Sequence, residues 1–241
     1  MSVRVAVIRF PGSNCEDETL RAVRRAGGEA FELWHRETGL RDADVVIMPG
    51  GFSYGDYLRA GAIARFSPVM KAVIRHAADG GAVLGICNGF QVLCEAGLLP
   101  GALVRNAQLH FAGRPVAVRI ERADTVYTSR YRPDQVIVIP IGHGEGCYVA
   151  PPETLAELER EGRVLMRYAD PGFLDAPANP NGALHDLAAI CDASGRLAGM
   201  MPHPERLADP AQGSSAGLGV FHSIVASFAT AGSPAPTLVT R

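Results

Sequence analysis

The five residues Gly85-Ile86-Cys87-Asn88-Gly89 set a thiol between two glycines, one two positions before it and one two positions after. This is the small-x-nucleophile-x-small spacing of a nucleophile elbow, a sharp strand-to-helix turn that holds one side chain in strained backbone and presents it to a substrate. The two flanking positions come together beneath the nucleophile, where only glycine-sized residues fit. The same turn aims a helix N-terminus at the sulfur, and its partial positive charge favours the attacking thiolate. Burial as a small core residue is the commoner fate of a free cysteine, but a core cysteine has no need of glycine on both sides. Cys94 makes the contrast, with a helical, apolar context and no glycine beside it, and Cys15, Cys147 and Cys191 also lack the elbow pattern.

A thiol nucleophile needs a base and something to orient that base. His203-Pro204-Glu205 supplies an imidazole and a carboxylate two residues apart. Pro204 biases His203 away from helical backbone, so the segment is predicted to be extended, with both side chains on one side. The carboxylate would fix the tautomer of the imidazole and stabilise its protonated form. Negative charge developing on a substrate oxygen needs donors, and the backbone N–H of Asn88, just after the nucleophile, is one candidate. The Pro49-Gly50-Gly51 turn, where backbone can approach a ligand closely, offers a second.

These residues must be carried by elements. Val3 to Ile8 reads as a buried strand, and Ser13 with Glu16 three positions later predicts a capping box for a helix that ends at Gly27-Gly28. Strands are predicted at 29–33, 44–48 and 82–86, with helices opened by Ser67-Pro68 and running through 90–96. Beyond residue 100 the pattern becomes short strands at about 115–120, 136–140, 164–168, 187–192 and 197–201, with a hairpin at Ser194-Gly195. Helices are expected at 152–161 and 218–229. Alternating strands and helices followed by strands in sequence predict an α/β fold, a doubly wound, mostly parallel sheet flanked by helices with an antiparallel extension. One domain over residues 1–230 and a flexible C-terminal tail over 231–241 are expected.

Bulk composition narrows the function. The 23 basic and 25 acidic residues give a net charge of -2 without a basic stripe, which argues against nucleic acid. Apolar runs are strand-sized and no secretory leader pattern opens the chain, so neither a membrane nor export is expected. Five cysteines without a C-x-x-C pair or metal-ligand spacing fit a reducing cytoplasm and predict no metal. Lys71 is the sole lysine and follows Met70, so a phosphate-binding loop of the G-x-x-x-x-G-K-[ST] kind is absent.

The elbow followed by Phe90-Gln91, together with His203-Pro204-Glu205, resembles the class I glutamine amidotransferases, which have a flavodoxin-like fold and a Cys-His-Glu triad in that chain order. Within that class the chain is similar to the glutaminase subunits of phosphoribosylformylglycinamidine synthase. That narrower likeness rests on FPGSN at 10–14, GGFSYGDYLRAGAIA at 50–64, GICNGFQVLCEAGLLPGAL at 85–103, GHGEG at 142–146, NPNG at 179–182 and GMMPHPER at 199–206. The resemblance implies that Cys87 attacks the side-chain amide of glutamine while His203 shuttles protons and Glu205 orients it. It further implies that Gln91 and His143 line the substrate pocket and that Gly51 and Asn88 supply the oxyanion donors. No cofactor is implied for this chain; ATP and Mg would be used by a partner synthetase subunit, accompanied by a small third subunit. Two positions depart from the family pattern: Gly142 stands where alanine usually precedes the histidine, and Ala183 where serine usually follows the glycine. A cysteine hydrolase or peptidase of related fold, or a catalytically silent regulatory subunit, are the competing expectations.

Overall fold

The computed structural model describes residues 2–170, 172 and 177–229; the expected tail at 231–241 lies outside the described residues. Strands β1 (Arg4–Arg9), β2 (Glu29–Trp34), β3 (Val45–Met48) and β4 (Ala82–Ile86) alternate with helices α1 (Glu16–Arg25) and α2 (Val69–Ala78), and β4 runs directly into α3 (Asn88–Glu95). The second half adds β5 (Ala102–Val104), β6 (Ala112–Ile120), β7 (Val136–His143), β8 (Cys147–Val149), α4 (Pro152–Arg160), β9 (Val164–Ala169), β10 (Leu187–Cys191), β11 (Leu197–Met200) and α5 (Leu218–Phe228).

Nine strands form one sheet in the order β2-β1-β3-β4-β11-β10-β9-β6-β7, and β5 pairs with β8 alone. The sheet is mixed. Its first five strands are parallel, joined by four pairings, and the remaining four pairings are antiparallel. Physical patterning follows the division: β3, β4 and β11 are buried at every residue, as strands covered on both faces must be, whereas β7 alternates between buried and more accessible positions. The predicted hairpin forms between β10 and β11.

One local expectation fails and one small element was not anticipated. Ser13 does not cap α1; its hydroxyl accepts from the Phe10 N–H, Cys15 occupies the cap position without a side-chain cap, and Ser13 is drawn into a bridge with Gly51. The tertiary bridge to the Gly51 turn takes the place of the local cap, and Glu16 instead pairs with Arg9 at 3.1 Å. The small β5–β8 ladder was not foreseen, because two three-residue strands carry too few positions for periodicity to register.

Candidate active site

Cys87 lies where β4 ends and α3 begins, with φ 50° and ψ -103°, a conformation that an L residue adopts only when its surroundings impose it. The imposition is visible in the glycines. A methyl carbon on Gly85 would lie 2.6 Å from the Gly89 carbonyl carbon, and one on Gly89 would overlap the Met48 carbonyl oxygen of β3. The Cys87 N–H donates to the Met200 carbonyl at 2.7 Å, and its sulfur lies 3.8 Å from the Gly142 carbonyl oxygen at the end of β7.

The partner residues arrive through strand register. Ile86 of β4 sits opposite Met200 of β11 in parallel, so the residues leaving both strands emerge at the same carboxyl edge of the sheet. The His203 N–H is fixed by the Pro140 carbonyl at 2.8 Å, and its Nδ1 meets Glu205 Oε1 at 2.6 Å in a fully buried pair. The segment is not extended as predicted: Pro204 opens a 3-10 turn over Pro204–Leu207, and the turn brings the carboxylate back under the ring. Burial alone would depress the His203 pKa, but the Glu205 carboxylate and the Cys87 sulfur outweigh it, holding the imidazole well above its ordinary value. His203 Nε2 is buried and has no hydrogen-bond partner among the described residues, which leaves that nitrogen for chemistry.

A second thiol approaches the same ring. Cys15 Sγ lies 4.0 Å from His203 Nδ1 and accepts from Arg206 Nη2 at 3.0 Å. Cys15, His203 and Glu205 thereby gather three ligand-type atoms within 4.8 Å of one another, but the Arg206 guanidinium on the sulfur opposes a metal cation there. Nothing in the local sequence marks Cys15, which meets the ring only through the fold.

Beside Cys87 opens a cavity of about 170 Å³ lined by Gly51, Gln91, His143, Asp56 and Glu145 among others. A larger surface hollow of about 500 Å³ involves ion-paired residues such as Glu159 and Arg167 and holds no nucleophile, so chemistry rather than size selects the smaller one. The structure thus brings Gly51, Gln91 and His143 to one cavity with Cys87, and Asn88 stands immediately behind. Gly51 has φ 147°, and a methyl carbon there would lie 2.6 Å from the Ser13 Cα, which ties this turn to glycine. Asn88 accepts the Ser53 N–H at 3.1 Å and donates to Gln91 Oε1 at 2.9 Å.

His143 is oriented by two asparagines. Asn106 Oδ1 accepts the Gly146 N–H, so the His143 Nδ1 it meets at 3.1 Å acts as donor, and Nε2 is left as acceptor facing Asn181 Nδ2 at 3.5 Å. Burial, aided by the nearby His203 charge, lowers the His143 pKa to about 4, so this ring is neutral at physiological pH. Asn181 accounts for the NPNG segment, while Asn106 has no sequence pattern to announce it. The two departures are locally absorbed. A methyl carbon at Gly142 would lie 3.0 Å from Arg206 Nη1, the flexible end of a side chain, and the Ala183 N–H is held by Asn181 Oδ1 at 3.0 Å without any hydroxyl.

A strained thiol on a strand-to-helix turn, backed by a buried His-Glu pair at the carboxyl edge of a doubly wound sheet, defines an α/β domain of the glutamine amidotransferase class. Residues 2–219 match the family of CobB/CobQ-like glutamine amidotransferase domains. Phosphoribosylformylglycinamidine synthase subunit PurQ of Gloeobacter violaceus is 56% identical over 227 residues, covering 93% of this chain and 98% of that protein. The Thermus thermophilus subunit of the same name is 54% identical over 92% of this chain and 98% of its own length. The chain also superposes on a chain of the PurLQS structure from Thermotoga maritima with a TM-score of 0.85 and 35% identity, covering 95% of this chain and all of that one. The chain belongs to the PurQ family of glutamine amidotransferase domains.

Proposed function

We infer that this chain is the glutaminase subunit of phosphoribosylformylglycinamidine synthase, acting in the cytoplasm as one domain over residues 1–230. It hydrolyses glutamine to glutamate and ammonia and delivers the ammonia to a synthetase subunit, with a small third subunit in the complex. The synthetase uses ATP and Mg to convert formylglycinamide ribonucleotide to formylglycinamidine ribonucleotide, a step of purine biosynthesis; this chain needs no cofactor of its own. Supporting the reading are the PurQ relatives, which match over nearly their full length, and the PurLQS neighbour. No helix among the described residues is long and apolar enough to cross a membrane. The observation that carries the chemistry is the β4–β11 register, which delivers Cys87 and the His203–Glu205 pair to one edge.

In the mechanism, Cys87 Sγ attacks the side-chain amide carbon of glutamine, and the resulting oxyanion is met by the backbone N–H groups of Asn88 and Gly51. His203 gives its Nε2 proton to the departing nitrogen, releasing ammonia and leaving a glutamyl thioester on Cys87. Water, deprotonated by His203, then splits the thioester to glutamate and the free thiol. Glu205 keeps the ring in the required tautomer, and Gln91 and His143 position the substrate. In the reconstituted synthetase complex, Cys87→Ala abolishes glutamine-driven synthesis and leaves ammonia-driven synthesis intact. Equal loss of both reactions would reduce Cys87 to a structural role. A glutamine-mimicking alkylator followed by mass spectrometry is expected to mark Cys87; an adduct on Cys15 instead would move the nucleophile.

A further inference from the structure

Arg206 immediately follows Glu205, is half-buried, and forms no ion pair among the described residues. Its guanidinium is placed by other means. Nη2 donates to the Cys15 sulfur at 3.0 Å, and Nη1 lies beside Gly142, where an added methyl carbon would sit 3.0 Å from it. The Arg206 N–H donates to the His203 carbonyl at 3.3 Å. The Cys15 S–H donates in turn to Asn14 Oδ1 at 3.1 Å, so the thiol meets the guanidinium as a hydrogen-bond partner and not as an opposing ion. Other partly buried guanidinium groups in the chain are held by carboxylates, Arg163 by Glu157 and Glu161, and Arg167 by Glu159 and Glu121. An arginine paired with a carboxylate is largely neutralised, whereas one held by a thiol keeps its charge free to act on its surroundings. Cys15 is itself fully buried and stands outside the lining of the cavity beside Cys87.

The surroundings of that charge are short of positive charge. In the activated site Cys87 is a thiolate and His203 an imidazolium, so with the Glu205 carboxylate the triad holds two negative charges and one positive. The His203–Glu205 pair is wholly enclosed, and water cannot screen the surplus. Glu205 engages the ring through Oε1 alone; its Oε2 is buried with no hydrogen-bond partner among the described residues. Cys15 ties Arg206 to this assembly, because ligand-type atoms of Cys15, His203 and Glu205 all lie within 4.8 Å of one another. Burial works against the Arg206 charge, yet Cys15, Glu205 and Cys87 together hold its pKa above the ordinary value, as befits a cation sited among anions. We propose that Arg206 is the counter-charge of the activated triad, and that Cys15 is the positioning residue that holds it in place without neutralising it. This rests on the reading of Cys87, His203 and Glu205 as a glutaminase triad.

The test uses the complex with its synthetase and reads the thiolate and the turnover separately. Alkylation of Cys87 by iodoacetamide at neutral pH, located by mass spectrometry, is expected to slow roughly tenfold or more in Arg206→Met, which keeps the bulk of the side chain and removes its charge. The kcat for glutamine should fall roughly 10- to 100-fold, with the smaller change in KM, as for one lost charge interaction in a half-buried site. Arg206→Lys should recover part of both. Cys15→Ala should lower kcat, and Cys15→Ser, which keeps an acceptor for the guanidinium, should lower it less. Because Cys15 acts through Arg206, Cys15→Ala combined with Arg206→Met should lose no more than Arg206→Met alone. Ammonia-driven synthesis reports that each variant is folded and assembled, and Arg206→Gln carries the comparison if Arg206→Met does not assemble. Equal losses in Arg206→Lys and Arg206→Met, a change confined to KM, or a double variant whose losses multiply would overturn the counter-charge. If the alkylation rate depends on Arg206 while the wild-type complex leaves glutamine untouched, the glutaminase reading fails and the counter-charge stands.

Discussion

Glu205 has its carboxylate wholly enclosed and shared with one imidazole, so its influence on the site is undiluted by water. Glu205→Gln is expected to keep the shape of the pair and lose the charge, lowering kcat/KM for glutamine roughly 100- to 10,000-fold, less than loss of Cys87; steady-state assays of the complex check this. Unchanged activity would remove Glu205 from the mechanism. Asp56 yields a stability prediction of opposite flavour. Its folded pKa of about 6, raised by burial and by the Glu145 charge, lies above the ordinary value of 3.8, so the ionised group opposes folding above pH 6, and the penalty shrinks as pH falls through 6 and is gone only below 3.8, where folded and unfolded chains are both protonated. With Asp56 half-exposed to water, the penalty is about 1–2 kcal/mol rather than the full value of the shift. Asp56→Asn should accordingly be the more stable protein at pH 7.5 in urea denaturation and lose that advantage at about pH 3, below the ordinary carboxyl value of 3.8. Cys87, His203 and Glu205 stood out as candidates because each is flagged by its own neighbours in sequence, and the structure brings them to one edge of the sheet. Asp56, Glu145, Cys15 and Asn106 did not stand out, since their meaning lies in contacts with distant segments, such as Cys15 with Arg206.

At the scale of elements, the elbow is a packing problem solved by the absence of two side chains. Gly89→Ala would drive a methyl group into backbone of β3, a central strand pinned between β1 and β4, so the sheet has no room to give. A loss of about 2–4 kcal/mol is expected in thermal or urea unfolding, while Gly39→Ala, with nothing near its added methyl, should stay within about 0.5 kcal/mol. Comparable stability for the two would mean that α3 can shift at little expense. Continuous apolar runs made β1, β3 and β4 readable, and the turn at Ser194-Gly195 made the β10–β11 hairpin readable. What misled was local chemistry overruled at a distance. Ser13 has the spacing of a helix cap but is taken by the Gly51 turn, and His203-Pro204-Glu205 has the look of extended chain but closes as a 3-10 turn.

Across the whole molecule, residues contributing to one site come from both the parallel and the antiparallel parts of the sheet: Cys87 follows β4, His143 ends β7 and His203 follows β11. Trp34, the only tryptophan, ends the edge strand β2, remote in sheet order from β7. If the sheet unfolds as one unit, tryptophan fluorescence and glutaminase activity should be lost at the same urea concentration. An activity midpoint well below the fluorescence midpoint would show the antiparallel half opening on its own. Sheet order itself could not be read from the chain, because the pairing of β11 with β4 joins segments more than a hundred residues apart.

That pairing has a bearing on birth as well as on form. β11 is the last strand among the described residues, yet it slots into the interior of the sheet between β4 and β10. A nascent polypeptide leaving the ribosome therefore exposes the candidate nucleophile Cys87 long before the candidate base His203 has been synthesised. Until translation is nearly over Cys87 lacks the buried His203–Glu205 pair beside it, so on the proposed mechanism a truncated or half-made copy would not squander the cell's glutamine.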